Sequence, residues 1–195
     1  MTIDALRVKD ALETEVKRFQ DMVFASYFPN EIFDSKCIKY KKCMFNDIEH
    51  MVVLYVPAYL KTNEMRSGVK DERFAKFRAE KAWCVCILDT FWMKCQDSLL
   101  HDGYKPCWYK KNEWVLPDEW NDKTQAMCAS GIHFFNHWIP AYYYGTTKPS
   151  GDVDICFSET GSGAIFWVRD AKNFYSSTIA DKMEKYFGIT DVSIV

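Results

Sequence analysis

The densest run of chemically versatile side chains is Cys128-Ala129-Ser130-Gly131-Ile132-His133-Phe134-Phe135, followed by His137-Trp138 and Ala141-Tyr142-Tyr143-Tyr144-Gly145. Two imidazoles and six aromatic rings fall within eighteen positions. Imidazole can move a proton or hold a metal near neutral pH. Aromatic rings stack on bases and cations, and they build cores equally well. His133 therefore has two readings, a hydrogen-bonded structural histidine or part of a ligand-contacting face. A second concentration runs from Lys61 to Lys81, with seven cations (Lys61, Arg66, Lys70, Arg73, Lys76, Arg78, Lys81) against four acids. A basic connection around Ser67-Gly68 could close over a phosphate or an acidic partner. The plainer reading is a solvated loop. Arg78 stands apart, because it directly precedes an apolar run where a charge needs a partner.

Eight cysteines invite a metal or disulfide reading. Structural zinc sites show paired ligands two to four residues apart. Cys84-Val85-Cys86 inside an apolar run and single cysteines at 37, 43, 95, 107, 128 and 156 do not match that spacing. The expectation is no metal and no cofactor, with thiols buried and reduced; zinc and NAD are the cofactors held in reserve. No cysteine has a local sequence that marks it as a nucleophile. The opening Met1-Thr2-Ile3-Asp4 has no secretory character, and no apolar run reaches the length of a membrane span. A reducing, cytoplasmic setting and no membrane follow as expectations. The formal net charge of −2 argues against a general nucleic-acid coat.

The positioning elements can be read from periodicity. Residues 2–25 predict an amphipathic helix through Ile3, Leu6, Ala11 or Leu12, Val16, Phe19 and Met22 or Val23. It either packs on the domain or forms an arm that pairs with another chain, giving a homo-oligomer. Cys37–Met44 and His50–Pro57 read as an antiparallel hairpin turning at Asn46-Asp47. Ala82–Asp89 reads as a fully buried strand, and Trp114-Val115 as a short one leaving at Pro117. Ile132–Phe135 is a strand, His137–Tyr144 a short helix, and Val153–Phe157 and Ala164–Val168 two further strands. A helix over residues 176–187 closes the chain. The expected fold class is α+β: an N-terminal helix or arm over 1–30, then one domain over 31–195. Its sheet is mostly antiparallel, with amphipathic N- and C-terminal helices on it.

The order Val52–Pro57, Arg78–Ala82, Val115–Asp118, then Cys128–Phe135 with Ala141-Tyr142 resembles an uncharacterised domain of bacteriophages and large DNA viruses. That domain is often found beside pentapeptide-repeat arrays. The likeness covers roughly residues 37–145, and Gly131-Ile132-His133-Phe134-Phe135 is its most specific element. It implies a viral or phage accessory protein in host cytoplasm and no particular chemistry. The same Gly-Ile-His-Phe-Phe step is similar to the strand-to-helix junction of poly-ADP-ribose-polymerase-type ADP-ribosyltransferases. That likeness implies an NAD-using enzyme with His101, Tyr142 and Glu159 as its residues, although Asp102 interrupts the family's His-Gly pair.

The reading favoured by the sequence is a non-enzymatic binding module whose partner is a host protein or a small anionic, nucleotide-like ligand. Its expected contact residues are Arg66, Arg73, Arg78, His133, His137, Trp138 and Tyr142. The competing class is the NAD-using enzyme.

Overall fold

A computed structural model describes residues 3–67, 69, 72, 75–101, 106–126, 129–144, 148–150, 153–160 and 163–170. The chain is α+β, and every strand pair among these residues is antiparallel. A seven-stranded sheet forms its centre. Across it run β3 (Lys76–Ala79), β9 (Ile132–Phe135), β1 (Ile38–Phe45), β2 (Ile48–Tyr55), β4 (Ala82–Asp89) and β5 (Lys94–Gln96), with β8 (Trp114–Val115) also paired to β4. A two-stranded ribbon, β6 (Ser98–His101) with β7 (Cys107–Lys110), lies against one face. A separate three-stranded sheet holds β10 (Lys148–Ser150), β11 (Val153–Thr160) and β12 (Gly163–Asp170).

The hairpin expected at Asn46-Asp47 is present with Phe45 opposite Ile48. Both turn residues have positive φ, 49° and 61°. That is the type I′ arrangement, whose twist matches the strands it joins. β4 is buried along its whole length. Met51, Val53, Tyr55, Val85 and Cys86 face one core, and Val52, Leu54, Cys84 and Ile87 face another on the opposite side of the sheet. A register shift at Val53/Leu54 between β2 and β4 is what lets Cys84 and Cys86 reach different cores despite their spacing. Strict alternation would put the two cysteines on one face, and this bulge interrupts it.

The N-terminal helix lies on the first core. It runs as α1 (Ile3–Arg18), a π-helical turn (Phe19–Val23) and α2 (Phe24–Tyr27). Ala5, Val8, Leu12, Phe19, Phe24 and Phe28 are buried, while Leu6 and Met22 are exposed. The π turn explains the departure from the expected face. Its wider winding places the next buried ring five residues after Phe19, at Phe24; Val23 packs partly buried against the same core and Met22 stays exposed. Phe19, Phe24, Phe28, Phe33 and Tyr55 then interlock, with Phe24–Phe28 centroids 5.1 Å apart and Phe19–Phe24 rings edge-on at 5.8 Å. Burial of each such ring stabilises by about 1.5–3 kcal/mol. Much of the aromatic excess is thus internal, and the helix spends its apolar face on its own sheet.

The segment 61–81 departs from the expected loop. Residues Lys76–Ala79 form edge strand β3, and Thr62 bridges to Ala79 along that edge. The ribbon β6–β7 seats Leu99 and Tyr109 in the second core. Helix α3 (Trp138–Tyr143) covers the first core with Trp138, Ile139, Ala141 and Tyr142. The helix expected over 176–187 lies outside the described residues. Among the described residues, no helix is long and apolar enough to cross a membrane.

Candidate functional site

The β3 edge of the sheet gathers several of the buried cations among the described residues. Phe77 and Ala79 point into the second core, so their neighbours Lys76 and Arg78 point to the other face. Arg78 is fully buried. Its guanidinium has no carboxylate within hydrogen-bonding distance. Instead Nε donates to Ala126 O (2.9 Å), Nη1 to Asn121 O (2.6 Å) and Ser130 O (3.0 Å), and Nη2 to Lys123 O (2.5 Å). The Trp120 ring stacks on it with the guanidinium carbon 4.7 Å from the centroid, an arrangement that favours a planar cation. Burial and the neighbouring Arg66 pull the Arg78 pKa down, and Asp122 opposes them.

Asn63, also fully buried, completes the lock. Its N–H donates to Arg78 O (3.1 Å), its Oδ1 accepts from Arg78 N–H (2.8 Å), and its Nδ2 donates to Ala126 O (3.3 Å). Gly131 closes the loop with φ of 146°. A Cβ there would stand 3.0 Å from Trp120 Cζ3 and 3.1 Å from Ala79 O, so a side chain would strain the backbone and push its neighbours aside. The loop 119–131 is therefore tied to β3 by one arginine and one asparagine. On its outer side Glu119–Lys123 line a shallow open depression.

The other cations of this edge are likewise engaged. Lys39 Nζ is 2.7 Å from Glu64 Oε1 and 2.8 Å from Asn136 Oδ1, and it sits over the Phe134 ring. Lys76 Nζ donates to the Tyr144 hydroxyl at 3.1 Å. Arg66 Nη1 donates to Lys76 O at 2.6 Å, with the guanidinium over Phe77. Every one of these is a bond that holds chain to chain.

The expected contact residues separate accordingly. Arg66 and Arg78 are buried in the brace, and Arg73 lies outside the described residues. His133 is half-buried and directly opposite Arg78 in the β3–β9 ladder. His137 is the N-cap of α3, its Nδ1 accepting from Ile139 N–H at 3.2 Å; such a cap satisfies one of the helix's unpaired donors. Trp138 and Tyr142 are buried in the first core, 7% and 6% exposed. The structure brings Arg78 and His133 together but sets the rings of Trp138 and Tyr142 inward. Of the residues the enzyme reading needs, His101 sits on the ribbon, its Nδ1 3.3 Å from Met44 N. That ribbon lies on the second core, whereas Tyr142 belongs to the first, across the sheet. Glu159 is in β11, opposite Ala164. Among the described residues no group of three or more His, Cys, Asp or Glu is placed to hold a metal ion.

At the opposite edge the structure exposes what composition did not single out. The β4–β5 turn carries Phe91 and Trp92, 74% and 70% exposed, their rings edge-on with centroids 4.7 Å apart. Buried Asp89 holds this turn. Its Oδ1 accepts from Phe91 N–H (2.8 Å) and Trp92 N–H (2.9 Å), and its Oδ2 accepts from Gln96 Nε2 (3.4 Å). The carboxylate also faces His50 Nε2 at 3.9 Å. Thr90 donates twice to Glu49 O, fixing the turn beside the β1–β2 hairpin, where Ile48 is partly exposed. The signal in the sequence is Asp89 two and three residues before the aromatic pair, the spacing of an Asx turn.

A family model described as a family of unknown function (DUF5758) matches residues 24–141, more than half of the chain. The chain belongs to this family. No curated protein and no solved structure matches it. The DUF5758 span runs from α2 into α3, so it contains the Arg78 lock, His133, His137, Trp138 and the Phe91–Trp92 turn. It ends at Ala141, before Tyr142 and before β10–β12.

Proposed function

We propose that this DUF5758 chain is a non-enzymatic binding module, an accessory protein of viral or phage type whose partner is a host protein. The observation that carries the reading is the Phe91–Trp92 pair, held out on a turn that Asp89 and Thr90 fix on both sides. Exposed aromatics on a rigid support supply large contact area at little entropic cost, and such residues dominate binding energies. The cations of the β3 edge favour this over a small anionic ligand, because Lys39, Arg66, Lys76 and Arg78 are engaged with groups of the chain itself.

The test is a photo-crosslinking amino acid placed at position 92 and, as a control, at exposed Leu116. A discrete host protein should cross-link only from position 92, and Phe91→Ala should remove it. The captured protein, once purified, should lose about 2 kcal/mol of affinity for Trp92→Ala, roughly thirtyfold. Identical products from both positions, or unchanged affinity, would end the proposal.

A further inference from the structure

The carboxylate that holds the aromatic turn faces a second group, one that can change its charge. His50 on β2 stands opposite Asp89 on β4 and opposite Cys43 on β1. Both members of the His50–Asp89 pair are buried, 2% and 3% exposed. The imidazole lies between two acceptors: Nδ1 is 3.1 Å from Ile48 O, and Nε2 is 3.9 Å from Asp89 Oδ2. A neutral imidazole has one N–H and one lone pair. Either tautomer therefore sets a lone pair against an oxygen, at Ile48 or at Asp89. Only the imidazolium donates to both. A proton on the ring also turns a buried single negative charge into a neutral pair, which a poorly solvated site favours. Among the described residues, the other charged or titratable groups around the pair are few. Lys41 follows Cys43 on the same face of β1, and exposed Lys94 on β5 is opposite Asp89. These cations oppose the proton, while the carboxylate in direct line favours it. His101 on β6 engages the main chain of Met44. Lys42 and Glu49 pair at 3.3 Å on the sheet's other face.

We infer that His50 is the proton sensor of the Phe91–Trp92 turn, which is clamped more firmly when both ring nitrogens carry a proton. The route is short. Asp89 Oδ1 accepts from the Phe91 and Trp92 N–H groups, while Oδ2 faces Gln96 Nε2 and the His50 ring. A closing of about 1 Å brings Nε2–H within hydrogen-bonding range of Oδ2, and the bond is charge-assisted. The carboxylate is then held from β2 and β5 together, and the turn it anchors loses freedom. Imidazole is the side chain whose charge changes between about pH 5 and 8. The aromatic pair is thus presented most rigidly on the acid side of neutrality and loosens as pH rises. A rigid contact pair loses less entropy on binding, so affinity for a partner follows the same direction. The sign is diagnostic. A proton on Asp89 itself would weaken the acceptor and loosen the turn as pH falls. The regulatory consequence rests on the reading of Phe91 and Trp92 as contact residues; the tightening of the turn does not.

The experiment follows the full chain, without any partner, by NMR from about pH 8 down to about pH 5. Amide exchange rates are divided by the intrinsic rate at each pH and compared with amides at the centre of β4. Protection at Phe91 and Trp92 should rise several-fold on acidification, with the same midpoint as the His50 ring resonances. His50→Gln should abolish the rise, and His101→Gln should leave it in place. Where His50→Gln fails to fold, the coincidence of ring and amide midpoints in the unsubstituted chain decides. Protection that falls or stays level on acidification, or that follows the His101 midpoint, would overturn the inference. A turn that tightens as stated, with no host protein cross-linked at position 92, would uphold the sensor and end the binding reading.

Discussion

Replacing Arg78 by alanine should unfasten the loop 119–131 at a cost that can be worked from the contacts. Four carbonyl oxygens accept from one guanidinium at 2.5–3.0 Å. A hydrogen bond to a charged group contributes about 1.5–3 kcal/mol net, so simple addition gives about 6–12 kcal/mol. Addition overstates the loss, because Asn121 and Lys123 lie where water can reach their carbonyls once the loop loosens. Removing one partner from a buried charged network costs about 3–5 kcal/mol, and we expect about 4. That is a large part of the roughly 5–15 kcal/mol that holds a domain together. For a chain of this length it lowers Tm by about 8–16 °C. Arg78→Lys keeps the charge but not the fork, reaches fewer carbonyls, and should cost about half as much. The assay is urea unfolding followed by tryptophan fluorescence, since Trp120 reports on the stack. A loss below about 1 kcal/mol for Arg78→Ala would refute the reasoning, because the four contacts would then be incidental to stability.

Gly131→Ala should destabilise by about 1–3 kcal/mol through its φ and the Trp120 and Ala79 contacts, measured by the same unfolding curve. Asp89→Ala should speed hydrogen exchange at the Phe91 and Trp92 amides, and cost about 1–2 kcal/mol; unchanged exchange would mean the turn does not need its carboxylate. Burial pushes the Tyr40 pKa up to about 12, with Glu13 and Cys86 adding to it. Its folded pKa exceeds the unfolded one, so stability is full below about pH 10 and declines as pH rises toward 12. Tyr40→Phe should flatten that alkaline decline, read as urea midpoint against pH.

What the sequence disclosed, and what it hid, follows from where the partners of each residue lie. The β1–β2 hairpin and β4 were legible because local patterning decides them, with a positive-φ pair at Asn46-Asp47 and eight apolar-leaning residues from Ala82 to Asp89. Ile132–Phe135 and α3 were legible for the same reason. β3 was not. Lys76 and Arg78 occupy the face opposite Phe77 and Ala79 and are buried there as well, so a buried strand carries the charge pattern of a solvated loop. Only the carbonyls of a loop some fifty residues later make that burial tolerable. The π turn at Phe19–Val23 was hidden because nothing in a 3.6-residue period announces an extra residue. For the site, charge and imidazole drew attention to Arg78, His137 and Trp138, which the fold spends on brace, cap and core. Phe91 and Trp92 continue the apolar run of β4, and only Asp89 hints that they turn outward.

The Arg78 lock has a consequence for how this surface can diversify. Its acceptors are main-chain oxygens, which every residue type possesses, so the anchor places no chemical demand on the side chains at 121, 123, 126 and 130. Within 119–131 the close-packed requirements fall on Trp120 and Gly131. Whereas Asn121, Asp122 and Gln125 accept hydrogen bonds through their own side chains, exposed positions such as Lys123 and Thr124 can be rewritten while the anchor holds, much as a typeface can change on a fixed line. A library varying those positions should yield proteins with one backbone and many surfaces.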